Sequence, residues 1–217
     1  MYDELVALLP QIYFILQGIG ITLKYSVTAV CLGLVIGTLL AICKIVDIKI
    51  LRIFAHGYTS VFRGTPLLIQ LTIIYYGLPG LLEVKLNIFS AGIIAFSFNS
   101  GAYVSEIIRA GIAAVDKGQI EAAKALGIPP ILRMKDIVLP QAFRKILPAL
   151  VNELINLIKE SALISIIGEM DLMRRAQIVA ADTYTFFTPM LVAAAAYFIL
   201  VLIISSFAMA LEKRLAL

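Results

Sequence analysis

Residues 121–140, EAAKALGIPPILRMKDIVLP, decide how the chain is to be read. Gln119 to Leu126 is rich in strong helix formers, and Glu121 falls near the positive end of that short helix. Gly127 can take the left-handed conformation that ends a helix, and Pro129 and Pro130 block simple continuation while allowing a new helix to open. Ala122, Ala123 and Ala125 leave a low-relief surface that fits a partner's groove. Residues 117–136 therefore predict two short helices around a corner, and Leu139-Pro140 starts the next long segment.

The surroundings of this corner are strongly apolar. Mean hydropathy is +1.00 and 61% of residues are hydrophobic, which is too much for a soluble domain of 217 residues. The pattern excludes an outer-membrane barrel, because period-two alternation is absent. Five spans of about 20 residues emerge, near 22–43, 65–82, 87–108, 146–167 and 186–211. Residues 1–20, broken by Pro10, Gly18 and Gly20, read as an interfacial helix ahead of the first span. The start carries Asp3 and Glu4 without a basic cluster or cleavage site, so a signal peptide is not expected. Gly33 and Gly37 form a GxxxG pair, which permits close approach of a neighbouring helix.

Basic residues set the expected orientation. Lys44, Lys49, Arg52 and Arg63 fall between spans one and two. Arg109, Lys117, Lys124, Arg133, Lys135, Arg144 and Lys145 fall between three and four, and Lys213 and Arg214 follow five. The N-terminus is thus expected outside, the C-terminus inside and the loop at 110–144 in the cytoplasm. One transmembrane domain, 1–217, is expected. Cys31 and Cys43, twelve residues apart on one helix, would lie roughly 18 Å apart and cannot bridge. His56 is the one histidine and has no ligand cluster near it, so no metal site is expected. The net charge of +4 marks membrane orientation, not nucleic-acid binding.

The pattern Glu121-Ala122-Ala123, three residues, Gly127, nine residues, Ile137-Val138-Leu139-Pro140 resembles the EAA loop of ABC importer permeases. Residues 62–68, FRGTPLL, resemble the opening of the second span in polar amino-acid permeases. Ala102-Tyr103, Glu106-Ile107, Arg109-Ala110-Gly111 and Gly118-Gln119 match the stretch leading into their EAA loop. Lys159-Glu160-Ser161-Ala162-Leu163 resembles a further motif, except that Ala162 stands where a second hydroxyl is usual. The resemblance implies an all-α, type I importer-like bundle of about five transmembrane helices in the bacterial or archaeal cell membrane. It also implies that Glu121, Ala122, Ala123, Gly127, Leu139 and Pro140 form the socket for a separate cytoplasmic ATPase. The other partners implied are a second permease subunit (a homodimer, with a heterodimer as the alternative) and an external amino-acid-binding protein. This chain would need no cofactor, ATP and Mg residing on the ATPase.

Charged side chains at mid-span cost about 2.5–3.5 kcal/mol each on insertion scales, so they require partners, a cavity or a task. Span four carries Asn152, Glu153, Asn156, Lys159 and Glu160. Glu153 and Glu160 sit seven residues apart, nearly on one helical face and roughly 10 Å apart along the axis. Span three adds Ser97, Asn99, Ser100, Tyr103 and Glu106. Two readings stay open for the carboxylates. They pair with Lys159 and a second subunit, or they line a translocation cavity and attract the cationic side chain of arginine, lysine or histidine. In the second case Asn156, Ser97, Asn99, Ser100 and Tyr103 would bind the head of the amino acid. Neither a P-loop nor HExxH nor GxSxG occurs, so no catalytic residues are expected. The chain reads as a transport subunit driven from outside. The rival is a proton-coupled secondary transporter using Glu153 or Glu160, which leaves the EAA loop without a purpose. Residues 168–184 are too polar to span and are expected as an outer-face helix, with Arg174 and Arg175 available to a delivery protein.

Overall fold

The structure is a computed structural model that describes residues 2–215, with side-chain placement for residues 9–210. Asp3, Glu4, Lys213 and Arg214, used above for the termini, lie outside the described side chains. Among the described residues every element is helical. The long helices are α2 (Ile19–Ile45), α6 (Ile88–Ala113), α9 (Leu139–Glu160) and α11 (Phe187–Leu215), and shorter pieces fill the connections.

Span one differs from expectation. The first helix, α1 (Tyr2–Leu16), runs into α2 through a single turn, so that Leu9–Ile45 forms one 37-residue apolar run. At 1.5 Å per residue this is roughly 55 Å, well beyond the hydrocarbon core. Gly18 does not act as a breaker there. A Cβ at Gly18 would lie 2.5 Å from the backbone nitrogen of Leu172, so the glycine allows α10 (Leu172–Thr183) to pack against the chain.

Span two also differs. The basic stretch after α2 is itself a helix, α3 (Lys49–Gly64), followed after a bend of 101° by α4 (Leu67–Thr72), a π-helical turn at Ile73–Gly77, and α5 (Leu78–Leu82). The span is therefore 49–82, broken at Gly64-Thr65-Pro66. Pro66 forces the break, because it has no N–H to continue α3 and disfavours helical geometry at Thr65, whose φ of −121° is extended. Three runs are long and apolar enough to cross a membrane, and the bent pair makes a fourth. The expected span 146–167 falls on α9, whose charges leave it outside that set, and on the 3₁₀ segment Ser161–Ile167 that prolongs it.

The bundle is built on α2 against α6. A Cβ at Gly37 would come 2.6 Å from Val104 Cβ, one at Gly33 2.7 Å from Ser100 Oγ, and one at Gly101 2.6 Å from Ile36. Close approach of this kind replaces the hydrophobic effect as a source of helix association in lipid. Tyr25, fully buried, lies edge-on to Phe89 and Phe96 at 5.0 and 6.4 Å in the central core. A second cluster, with Val115, Val138, Ala142 and Ile146, sits beneath the 117–136 corner. Cys31 and Cys43 are free thiols.

Gly37→Ala is expected to destabilise the detergent-solubilised protein by about 1–3 kcal/mol through overpacking. Gly57→Ala, where a Cβ meets nothing within 4 Å, is expected to be neutral or slightly stabilising in the same thermal unfolding assay. Equal losses at both positions would remove the glycine contact as a determinant of packing.

Candidate functional site

The break in span two creates a satisfaction problem. The last carbonyls of α3 lose their helical partners, and each unsatisfied group costs several kcal/mol in lipid. Side chains solve it. The two N–H groups of Gln70 Nε2 are shared among Phe62 O, Thr65 O and Thr65 Oγ1 at 2.9, 3.0 and 2.9 Å. Asn99 Nδ2 donates to Phe62 O at 3.2 Å and to Gln70 Oε1 at 3.1 Å. Thr65 Oγ1 donates to Val61 O at 2.9 Å. Gln70 carries the break from its own helix, and Asn99 ties it to α6.

A cleft of about 370 Å³ opens at the break, lined among others by Arg63, Thr65, Asn99, Tyr103 and Glu160. Three of the expected site residues thus meet: Asn99, Tyr103 and Glu160. Asn156 lines an adjoining cleft of similar size with Lys159, Glu160 and Leu163. Glu153 is buried beside the Ser100 hydroxyl and within electrostatic reach of Glu160. Ser97 and Ser100 are buried inside the bundle, Ser100 against Gly33. The two α9 carboxylates therefore divide, Glu160 toward the cleft and Glu153 inward. Among the described residues Lys159 makes no ion pair within 4 Å with either.

A charge cluster joins α2, α3 and α6. Lys44, whose side chain is 1% exposed, donates to Glu106 Oε1 at 2.7 Å and to Ser105 Oγ at 2.9 Å. Arg109 grips Glu106 Oε2 through Nε at 3.0 Å and Nη2 at 2.8 Å, and Arg63 stands 3.9 Å from the same carboxylate oxygen. A second cleft of about 530 Å³ borders the cluster, with His56, Ser60, Arg63 and Arg109 in its wall. In the sequence Lys44 and Arg63 read as orientation charges; α2 carries Lys44, and the helical continuity from 49 to 64 carries Arg63, to Glu106, and neither meeting is visible in a local pattern.

The corner at 117–136 contains α7 (Lys117–Ala125) and a short α8 (Pro130–Leu132), followed by a π-helical stretch, Arg133–Val138. Asp116 caps α7 by accepting from Gly118 N at 2.6 Å and Gln119 N at 3.4 Å. Gly127 has φ of +71°, and its N–H bonds Lys124 O while Ile128 N bonds Ala123 O, both at 3.0 Å. This pair of bonds is a Schellman cap, with glycine at its left-handed position. Ala123 is buried, while Glu121, Ala122, Gly127, Leu139 and Pro140 are exposed. Leu126 and Ile131 are 79% and 80% exposed, apolar surface that water disfavours and a partner would cover. Lys145 Nζ donates to Ala114 O, fastening the start of α9 to the end of α6.

At the other end of the bundle, Tyr25 donates to Glu169 Oε2 at 2.5 Å, and Asp171 caps α10 at Arg174 N and Met173 N. Burial pushes the Asp171 carboxyl up to about 6. Arg175 is engaged within the chain, donating to Met170 O, Phe14 O and Gln17 Oε1. It is thus held by α1 rather than left for a delivery protein.

A helical bundle crossing a membrane several times, with a broken span beside a polar cleft and an exposed capped corner, defines a multi-pass transport subunit. Residues 33–217 match the family described as binding-protein-dependent transport system inner membrane component, and the chain belongs to that family. It is 62% identical, over 99% of both chains, to a permease protein of Rickettsia conorii named for glutamine transport. It is 53% identical to the arginine transport system permease protein ArtQ of Bacillus subtilis, over 96% of this chain and 95% of that one. The crystal structure of an amino acid ABC transporter with histidines superposes with a TM-score of 0.91 at 42% identity, covering 99% and 98% of the two chains. The inward-facing MetNI methionine ABC transporter shares the fold, with a TM-score of 0.81 at 20% identity over 95% and 98%. The chain is a permease subunit of an amino-acid ABC transporter of the inner membrane, not an enzyme.

The two halves of the Lys44–Glu106 pair are not equivalent. Glu106→Gln strands a buried ammonium and is expected to cost about 3–5 kcal/mol in chemical unfolding. Lys44→Met leaves Glu106 held by Arg109 and is expected to cost less. A larger loss from Lys44→Met would contradict this ordering.

Proposed function

We propose that this subunit imports basic amino acids, that the cleft at the span-two break holds them during translocation, and that a separate ATPase drives the cycle through residues 117–136. The observation that carries the proposal is the position of Glu160. It faces the cleft with no ion pair within 4 Å among the described residues, while Glu153 stands behind it as a second acid. A carboxylate in such a place favours a cationic side chain over a neutral one. The naming of one relative for arginine transport and another for glutamine transport leaves the amide side chain as the competitor to be tested.

ATP and its Mg would be bound by the partner ATPase, whose closure presses on Glu121, Ala122, Ala123 and Gly127. The pressure passes to α9 through Leu139 and Pro140 and to α6 through the core at Val115, Val138 and Ala142. Movement of α9 carries Glu160 with it, so the drive reaches the cleft through one helix. Because equal affinity for both states shifts nothing, ATP-bound ATPase must fit one arrangement of the corner better than the other. The second permease subunit, identical or related, would face the exposed polar side of α9 across the pathway that Asn156 lines. The external delivery protein would meet the opposite end, near α10. In this reading the 110–144 loop lies in the cytoplasm.

Proteoliposomes holding the permease with its co-purified ATPase test both parts. Glu160→Gln is expected to weaken arginine uptake about tenfold in KM and to leave glutamine uptake unchanged; equal loss for both removes the acid as a selectivity element. Gly127→Val is expected to leave ATP hydrolysis running while uptake falls, because φ of +71° strains a β-branched residue, whereas Gly127→Asn retains coupling. Uphill uptake that needs no ATPase and follows a proton gradient would overturn the proposal.

A further inference from the structure

We propose that Arg63 receives the α-carboxylate of the transported amino acid and sets the requirement for that group. The inference rests on the cleft being the transport site, and it assigns the end of the substrate opposite to the side chain that Glu160 meets.

The hydrogen-bond donors of the cleft decide the assignment. An amide nitrogen has two N–H groups, and Asn99 spends both on Phe62 O and Gln70 Oε1. Thr65 gives its hydroxyl proton to Val61 O. Ser97 and Ser100 are 2% and 0% exposed and lie outside the cleft wall. Of the head-binding groups expected from sequence, Asn99 is thus committed to holding the bundle together, the two serines lie away from the cleft, and Asn156 lines the adjoining one. In the wall of this cleft the side chains of Tyr103 and Arg63 remain.

Arg63 has the means and the vacancy. Its guanidinium carries five N–H donors in a fork that matches a carboxylate. Its one carboxylate neighbour, Glu106, stands 3.9 Å away, with Oε1 already taken by Lys44 and Oε2 by Arg109. Three cations therefore share a single acid, and at 3.9 Å Arg63 is the one held most loosely, against 2.7 Å for Lys44 and 2.8 Å for Arg109. The Tyr103 ring lies 5.4 Å from the guanidinium and limits its orientation. A substrate carboxylate would supply the missing negative charge, and Glu160 lines the same cleft to accept a positive one. Arg63 also forms part of the second cleft beside Arg109, so the same side chain can follow the carboxylate as it leaves.

The test uses the purified permease–ATPase complex without the delivery protein, so that only the membrane site discriminates. Labelled arginine and labelled glutamine are each competed with their decarboxylated analogues, agmatine and 4-aminobutanamide. In the unmodified complex the analogue is expected to bind at least about tenfold more weakly than its parent amino acid. Arg63→Gln is expected to weaken the amino acid by a similar factor while leaving the analogue unchanged, bringing their ratio near one. Lys44→Met, the milder of the two changes to the neighbouring ion pair, controls for a purely structural role and is expected to preserve the ratio. Arg63→Lys, which keeps the charge, is expected to restore part of it. An analogue that matches its parent in the unmodified complex overturns the assignment without any variant. So does an Arg63→Gln loss shared equally by amino acid and analogue. Equal binding of arginine and glutamine in the unmodified complex, with the carboxylate requirement intact, would instead overturn the Glu160 reading alone.

Discussion

Inside a bilayer no water is available to satisfy a broken backbone, and the structure turns on how one break is repaired. Pro66 interrupts span two, and Gln70 with Asn99 supplies amide donors to the carbonyls of Phe62 and Thr65 left behind. That repair makes an irregular stretch affordable only where protein surrounds it, so the break and the polar cleft occur together. The same donors that stabilise the break are removed from the list of groups free to bind a solute. Structure and binding thus compete for a small polar inventory, and the side chains left over are Arg63, Tyr103 and Glu160 in the cleft at the break, with Asn156 and Lys159 in the adjoining one.

The exposed corner obeys a different constraint. It lies at the end of α6 and α9, and its helix is closed at both ends by its own chain, through Asp116 and the Gly127 cap. A capped helix of nine residues on a packed base transmits a push instead of dissipating it. In the proposed cycle, α9 connects that base with Glu160, while Lys44, Arg109 and Glu106 bind α2 to α6 so that those two helices move together.

Much of this was legible in the residues. Gly127 and the two prolines gave the corner, because left-handed φ and the missing N–H are local properties. GxxxG at Gly33 and Gly37 pointed to close packing, and α6 is the partner. Hydropathy starts span two only at residue 65 because it favours apolar runs, while α3 is amphipathic and joins the span through packing on α6. Pro10, Gly18 and Gly20 suggested a boundary at residue 20, whereas Gly18 serves a contact with Leu172 far along the chain. Periodicity puts Glu153 and Glu160 on one face, but the packing of α6, which buries Glu153 beside Ser100, separates their surroundings. The roles of Gln70, Lys44 and Arg63 depend on long-range neighbours that no local pattern records.

The central claim is that the exposed polar face of α9 borders an aqueous pathway and moves with the corner. The direct measurement places a cysteine at Asn156, with Cys31 and Cys43 replaced by alanine, in the complex reconstituted with its ATPase. Reaction with a membrane-impermeant thiol reagent is expected, at a rate that changes at least severalfold between the nucleotide-free and ATP-trapped states. A cysteine that never reacts, or reacts equally in both states, would contradict the account.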